Sequence, residues 1–509
     1  MAFATQPVVT VLDSGNNVVT NYSTAVTLAI NTQPGTGAVL SGCNTPTWSS
    51  GVATFTGCQI VGKIGAYTLK ATSGSLSVLT TSFTLGFGAA TQLAVTTPSG
   101  AVNAVAFTGQ PVVTAQDSGL NTVTTYATAV ALAINTQPGT GAVLSGCNVP
   151  TWSSGVATFS GCQIVGKIGG YTLTATSGTL TVNTPIFTLT VGTMTKIGFT
   201  TNPASATYGT MFAAQPVVAA QDSGGNTIVG YTTPAVTLSI TAQPGSGGAL
   251  SGCNAPTWSS GVSTFTGCSI TGTASTTAGS YTLTATSGTY TATSTVYLYK
   301  LIRQVVATST TAASTMTVGP LSAAPASGDT LVLSYSSTAA THITGVTNNG
   351  RAFTHAGQSI TANGDAEIWY LPLTAAGVTS TVITFSGSTS EVDIANVSEW
   401  AGLGVPDATG TASLSGTTAG ASAGTVTPTT PNDLAFSVAY VATGGTTALV
   451  PTNAFAPLTQ GTVTASLYIR GLAAYYAVPG LAVPGAGNVS TTWNSTAGRW
   501  SSTITAFVP

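Results

Sequence analysis

Apolar and polar residues alternate along most of this chain. In Tyr67-Thr68-Leu69-Lys70-Ala71 the apolar residues fall at every second position, and Tyr171 and Tyr281 head the same pattern further on. A period of two carried by β-branched and aromatic residues predicts strands. Turn signals interrupt them at short intervals: Asp13-Ser14-Gly15-Asn16, Gln33-Pro34-Gly35, Ser49-Ser50-Gly51 and Ser73-Gly74. No stretch carries the helical period of an amphipathic helix. The chain reads as all-β.

The pattern also repeats on a larger scale. Gln6-Pro7-Val8-Val9 returns as Gln110-Pro111-Val112-Val113 and as Gln215-Pro216-Val217-Val218. Cys43 and Cys58 return as Cys147 and Cys162, then as Cys253 and Cys268. The run Leu28 to Asn44 is identical to the run Leu132 to Asn148. A unit of this length is a whole domain set in series, not a solenoid turn. About seven short strands per unit, with a turn after each, predict immunoglobulin-like sandwiches. The predicted domains are residues 1–88, 89–192 and 193–300, followed by a C-terminal region, 301–509.

The residues that carry the repeat also carry a resemblance. Gln-Pro-Val-Val-x-x-x-Asp-Ser-Gly-x-Asn, then Gly-Val-x-Thr-Phe-x-Gly-Cys, then Tyr-Thr-Leu-x-Ala-Thr-Ser-Gly resembles the bacterial immunoglobulin-like (Big/filamin-like) repeats of large secreted and surface proteins. The resemblance covers residues 1–298 and implies the fold, with roles as spacers and adhesive stalks. It implies no shared catalytic residues, and fold alone does not give function.

The copies differ in ways that matter. Ile60-Val61-Gly62-Lys63-Ile64-Gly65 matches Ile164 to Gly169, whereas the third copy reads Ile270-Thr271-Gly272-Thr273-Ala274-Ser275. Lys63 and Lys167 lack the carboxylate that an isopeptide bond would need nearby, so they read as solvated lysines. Copy 2 opens with Thr91-Gln92-Leu93-Ala94-Val95 and copy 3 with Thr195-Lys196-Ile197-Gly198-Phe199. Both run on to a phenylalanine, Phe107 or Phe212, whose equivalent in copy 1 is Phe3. Copy 1 therefore lacks a first strand. A sandwich open in this way offers an edge to a strand from another chain, with Phe3, Gln6 and Val8 at the acceptor groove. A shortened or frayed end would leave the same gap.

Residues 301–509 lose the repeat but keep the alternation, as in Thr330 to Tyr335, Glu367 to Tyr370 and Leu434 to Val438. They predict one larger, jelly-roll-like β-sandwich. Gly-Asp-Thr-Leu-Val-Leu, Ile-Trp-Tyr and Val-Ser-Glu-Trp-Ala-Gly resemble sandwich domains of secreted bacterial and phage proteins. The closing segment alternates through Ile504, Ala506 and Val508 and is a candidate donor strand, with closure of its own domain as the competing role.

Charge narrows the functions. Only 4% of residues are charged and the net charge is −2, so no basic patch exists to bind nucleic acid. A surface of Ser, Thr, Gly, Asn and Gln lacks charge repulsion and permits dense packing against copies of itself. With few groups to titrate, stability is expected to vary little with pH. The six cysteines, two per repeat, read most simply as three intradomain disulfides in an oxidising, extracellular setting, with buried thiols as the alternative. No apolar stretch is long and unbroken enough to span a bilayer as a helix. The N-terminus has neither a basic nor an apolar signal-peptide region.

Candidate chemistry is sparse. Asp365 with Glu367 and Glu391 with Asp393 are pairs two apart, each on one face of a strand. Four carboxylates could hold calcium or act on a sugar; solvated strand-end acids are the plainer reading. Trp369, Trp400, Trp493 and Trp500 could form a glycan platform, or pack in a core. His342 and His355 are isolated, and no nucleophile elbow or phosphate loop occurs, so no enzyme and no cofactor beyond calcium are expected. The leading expectation is a structural subunit of an extracellular filament or surface appendage that polymerises with its own copies. The alternative is an adhesin or phage fibre, with an immunoglobulin-like stalk and a C-terminal sandwich holding a glycan or cell-surface ligand.

Overall fold

A computed structural model describes residues 3–272, 277–311, 313–338, 342–362, 364–389, 392–429, 433–443, 451, 455–458, 461–464, 468–477, 489–493 and 499–509. All regular elements among them are strands, as the alternation predicts. The chain divides into two compact units: residues 1–195 with 221–227, and residues 196–220 with 228–509.

Copy 2 shows the complete repeat. Strands Gln92–Val95, Val112–Gln116, Val156–Thr158 and Trp152–Ser153 form one sheet in that order. Val130–Thr136, Gly169–Ser177 and Leu180–Asn183 form the facing sheet, with Phe187–Leu189 also paired to Gly169–Ser177. Alternation turns Tyr171, Leu173 and Ala175 inward, all fully buried, to meet Val113, Ala115 and Ala157. The Tyr171 hydroxyl keeps a partner by donating to Lys167 O at 2.7 Å. Cys147 is bonded to Cys162 beside this core, and Cys43–Cys58 and Cys253–Cys268 repeat the link. Gln110 braces the same corner, accepting from Cys162 N at 3.0 Å and donating to Phe107 O at 2.8 Å.

Among the described residues, copy 1 repeats this plan with one strand fewer. Its sheet contains Val8–Thr10, Val52–Thr54 and Trp48–Ser49, and nothing described stands where Gln92–Val95 stands in copy 2.

In the second unit, copy 3 runs into the C-terminal region without a break. The strand Tyr290–Ser309 pairs with Gly279–Ser287 over its first half and with Asp393–Ala401 over its second. The boundary expected between residues 300 and 301 lies inside this strand.

The expected single larger sandwich takes the form of two sheet pairs. One sheet has the order Tyr290–Ser309, Asp393–Ala401, Thr330–Ser337, Gly364–Pro372, Thr354–Thr361. Another has the order Pro406–Gly416, Trp500–Phe507, Leu434–Thr443, Tyr468–Ala477, Ala456–Pro457. The two correspond strand for strand, each with the first and last strands of its segment side by side, as in a jelly roll. Each packs one face on a partner sheet and the other face on its counterpart. The central contact joins Val332, Ile368 and Trp400 to Leu434, Phe436 and Phe507. A strand buried on both faces carries small residues as well as apolar ones, and Trp500–Phe507 is buried throughout, Ser501, Ser502, Thr503 and Thr505 included.

Candidate interaction surface of copy 1

Among the described residues copy 1 has two openings, and copy 2 shows what fills the equivalent place of each. In copy 2, Gln92–Val95 pairs antiparallel with Val112–Gln116, placing Leu93 opposite Ala115. Leu93 is 6% exposed and belongs to a core against which Leu180 and Val182 pack. Thr91 N donates to Gln116 O and Thr96 N to Val112 O, both at 2.9 Å, so the strand is bonded at both ends.

In copy 1 the corresponding place is a groove of about 160 Å³ lined by Val9, Val11, Val26, Ala71, Leu76 and Val78. Among the described residues, the strand Val8–Thr10 has a neighbour on one side only, Val52–Thr54. Leu76, Val78 and Leu79 are 49%, 56% and 54% exposed, although Leu180 and Val182 pack against a core at the matching positions. Val11 stands where copy 2 has Ala115, so part of the seat for Leu93 is already occupied by a larger side chain.

The second opening is a cavity of about 270 Å³ bounded by Phe3, Ile60, Gly62, Gly86, Gly88 and Ser118. Copy 2 fills the equivalent space with Asn103. Its Oδ1 accepts from Gly166 N at 2.9 Å, its backbone N–H donates to Thr190 O at 2.9 Å, and its Nδ2 donates to Ser223 Oγ at 3.3 Å. Residues 91–104 of copy 2 are thus a template for whatever completes copy 1.

The residues expected at this groove are placed differently. Phe3 borders the second cavity and packs edge-on against Phe83, with ring centroids 5.6 Å apart. Gln6 does not line the groove, because its amide is used within the repeat: it accepts from Cys58 N and donates to Phe3 O, both at 2.8 Å. Val8 is 57% exposed, since alternation turns Val9 and Val11 to the groove and Val8 away from it.

The expected donor strand is not free. Ile504 and Ala506 are fully buried, and Trp500–Phe507 is paired on one side with Pro406–Gly416 and on the other with Leu434–Thr443. Val508 is tied at both backbone groups, accepting from Gly404 N and donating to Val405 O at 2.9 Å. Closing its own sandwich is the role this segment performs.

Lys63 and the Asp117–Asn121 turn meet at the junction of copies 1 and 2. Asn121 Nδ2 donates to Gly62 O at 2.8 Å, Ile64 N donates to Asn121 Oδ1 at 3.0 Å, and Lys63 Nζ donates to Leu120 O at 3.1 Å. Lys63 is therefore a junction residue rather than a free solvated one. Asp117 closes the turn and accepts from Gly88 N at 2.8 Å. Burial acts to raise Asp117, but the N–H groups of Gly88, Asn121 and Gly119 outweigh it and hold the carboxyl below its ordinary value.

The C-terminal carboxylates correct a further expectation. Asp365, Glu367 and Asp393 are each 1% exposed, so they are neither solvated strand-end acids nor open to a sugar. The strands Gly364–Pro372 and Asp393–Ala401 do not adjoin, because Thr330–Ser337 runs between them. Glu367 accepts from Ile343 N at 3.1 Å and Trp369 Nε1 at 2.7 Å, and Asp393 accepts from the Tyr335 hydroxyl at 2.6 Å. Burial, then the charge of Glu367, pushes Asp365 up to about 9, so this acid stays protonated at neutral pH. Among the described residues no group of three or more His, Cys, Asp and Glu is arranged to hold a metal ion. Glu391 lies outside the described residues. Trp400, Trp493 and Trp500 are core residues, and Trp369 is half-buried with its ring against His355, so the four do not form an open stacking face. His342 is at the border of a strand, and His355 is held below its ordinary value by burial.

No protein-family model and no curated protein matches this chain. Among solved structures it is similar to FdeC, an Escherichia coli adhesin, at 16% identity over 56% of this chain and 89% of that one, with a TM-score of 0.23. Domains 4–9 of the surface layer protein SbsC match at 15% identity over 86% of this chain and 67% of that one, TM-score 0.17. The Yersinia pseudotuberculosis adhesin InvE matches at 15% identity over 54% and 73%, TM-score 0.17. These are likenesses of fold. No helix among the described residues is long and apolar enough to cross a membrane.

Proposed function

We propose that this chain is a structural subunit of an extracellular filament or surface appendage, and that copy 1 is completed by an extended segment from a neighbouring chain. The observation that carries this reading is the groove between Val9–Leu12 and Leu76–Val78, which lies at the position that Gln92–Val95 fills in copy 2. A strand entering there would gain main-chain bonds along Val8–Thr10 and bury an apolar side chain against Val9, Val26 and Val78. Three disulfides suit an oxidising, extracellular setting.

The test is electron microscopy of the purified chain, with and without a peptide of residues 89–104. Assembly that the peptide blocks, together with binding of labelled peptide to the full chain, is the expected result. A chain that stays monomeric at every concentration and ignores the peptide would overturn the reading.

A further inference from the structure

Within the first compact unit, one type of turn makes the contact between a repeat and the loop of the repeat before it. In copy 2, Asp117 Oδ1 accepts from Gly119 N and Asn121 N, each at 2.9 Å, which closes the turn. Asn121 then reaches outward to Gly62 O and Ile64 N. The turn Asp222–Asn226 is held in the same way, with Asn226 Nδ2 donating to Gly166 O at 2.8 Å and Ile168 N donating to Asn226 Oδ1 at 3.0 Å.

Copy 1 carries this turn already formed. Asp13 Oδ1 accepts from Gly15 N at 2.8 Å and from Asn17 N at 2.9 Å. Among the described residues, the Asn17 side-chain amide donates only within its own turn, to Asp13. The middle glycine gives an independent indication. A Cβ on Gly119 would run into Gly62 O, and one on Gly224 into Gly166 O, so both glycines admit the backbone of the docked loop. A Cβ on Gly15 would meet nothing beyond its own turn, with Asn17 Nδ2 at 3.1 Å and Asp13 Oδ1 at 3.3 Å. None of the three has a positive φ, so backbone conformation does not call for glycine there.

We infer that the Asp13–Asn17 turn is a preformed docking surface whose partner is the Gly-Lys-Ile loop of another immunoglobulin-like repeat of this type. The loop is present as Gly62-Lys63-Ile64 and Gly166-Lys167-Ile168, and each is met by a turn that engages it. Copy 3 is followed by no further repeat, and there the lysine and isoleucine are replaced by Thr273 and Ala274. The loop sequence thus varies between copies, whereas the turn is kept in all three. The lysine adds a bond of its own, Lys63 Nζ to Leu120 O and Lys167 Nζ to Gly225 O. In copy 1 the corresponding acceptor is the carbonyl of Asn16. A repeat docked in this way would also bring a linker and a first strand to the groove. The inference therefore names the partner for the reading above, while docking of the turn is separable from entry of the strand.

The test uses the full chain with one repeat added: residues 89–194 followed by 91–106, joined directly ahead of Phe3. Amide hydrogen exchange is read on residues 12–22, whose sequence stays unique in the extended chain. Docking should slow exchange there by about tenfold relative to the unextended chain. Gly15→Ala should leave the strands of copy 1 folded in the unextended chain, with at most a small adjustment of the Asn17 and Asp13 side chains, and abolish the slowing in the extended one. Lys167→Met in the added repeat should remove part of the slowing without touching copy 1. If the added repeat protects Val8–Thr10 but leaves the turn exchanging as before, the docking inference falls and the groove reading stands. If neither segment is protected, both fall.

Discussion

Copies 1 and 2 share an identical run through their central strands, the same disulfide and the same buried tyrosine, yet one is closed and the other open. The difference is a single segment, residues 91–106 of copy 2, for which copy 1 has no described counterpart. With that segment, Leu93 completes a core and Asn103 plugs a cavity; without it, Leu76, Val78 and Leu79 are about half exposed. The remaining strands keep their pairing in both copies. In copy 2 the first strand seals a sandwich whose facing strands pair in the same way in copy 1.

The largest expected contrast comes from removing the staple. Replacing Cys43 and Cys58 by serine should cost about 3 kcal/mol, as should replacing Cys147 and Cys162. Copy 1, with less core to fall back on, should then be cleaved by protease at temperatures where copy 2 resists. Equal resistance of the two copies would show that the missing strand carries little of the stability. An effect of similar size should convert copy 2 toward the state of copy 1. Leu93→Ala removes the side chain that fills the seat and should cost about 2–4 kcal/mol in copy 2 alone. Calorimetry should show the copy 2 transition moving down while copy 1 stays in place.

Asn121→Ala should come next. It leaves Gly62 O and Ile64 N without their partner and should cost about 1–3 kcal/mol at the junction. The two copies should then melt more independently, and exchange at Ile64 should quicken. The matching change in copy 1, Asn17→Ala, touches only its own turn and should have a much smaller effect. If both changes behaved alike, Asn121 would be serving its own turn and not the junction.

Much of this was legible in the residues, and the omissions have physical causes. Period-two alternation and recurring cysteine pairs are local signals, and they correctly implied strands and repeats. The same-face reading of Asp365 and Glu367 was also sound, but alternation does not say which face meets the core, so their burial was hidden. Ser502 to Val508 alternates as a donor strand would, but so does a strand that closes its own sheet. Only the pairing with Leu434–Thr443 and Pro406–Gly416 separates the two. The junction left a signal, since Asp-Ser-Gly-x-Asn stands at one place in every copy while Gly-Lys-Ile stands in only two. Its meaning was hidden because Asn121 bonds to backbone atoms 57 and 59 positions away, which have no side-chain signature. The corresponding strand orders of the two C-terminal sheet pairs lie in topology rather than in matching residues.

The smallest effect divides the same turn by pH. Scarcity of charge suggested a stability indifferent to pH, but the few acids present are held in specific bonds. Burial tends to raise Asp117, and the N–H groups of Gly88, Asn121 and Gly119 reverse this, leaving its carboxyl below the ordinary value of 3.8. A lowered acid stabilises the fold fully above its unfolded value, and that stabilisation is lost as pH falls through the lowered folded value. The coupling of copies 1 and 2 should therefore hold as pH drops to about 4 and fade below it. Asp365 has the opposite sign. Its folded value is raised to about 9 by burial and by Glu367, so the second unit should lose stability as pH climbs from the ordinary carboxylate range toward that value. Asp365→Asn should flatten this slope and raise the melting point of the second unit near neutral pH by about 2–4 °C. Asp13 is lowered chiefly by the backbone N–H of Asn17 and, among the described residues, accepts only within its own turn, so its titration should leave the junction untouched. Exchange at Ile64 and in residues 12–22, followed from neutral to acid pH, separates the docked turn from the undocked one. A junction that opens at neutral pH, or one that survives well below the range of every carboxylate, would show that Asp117 does not hold it.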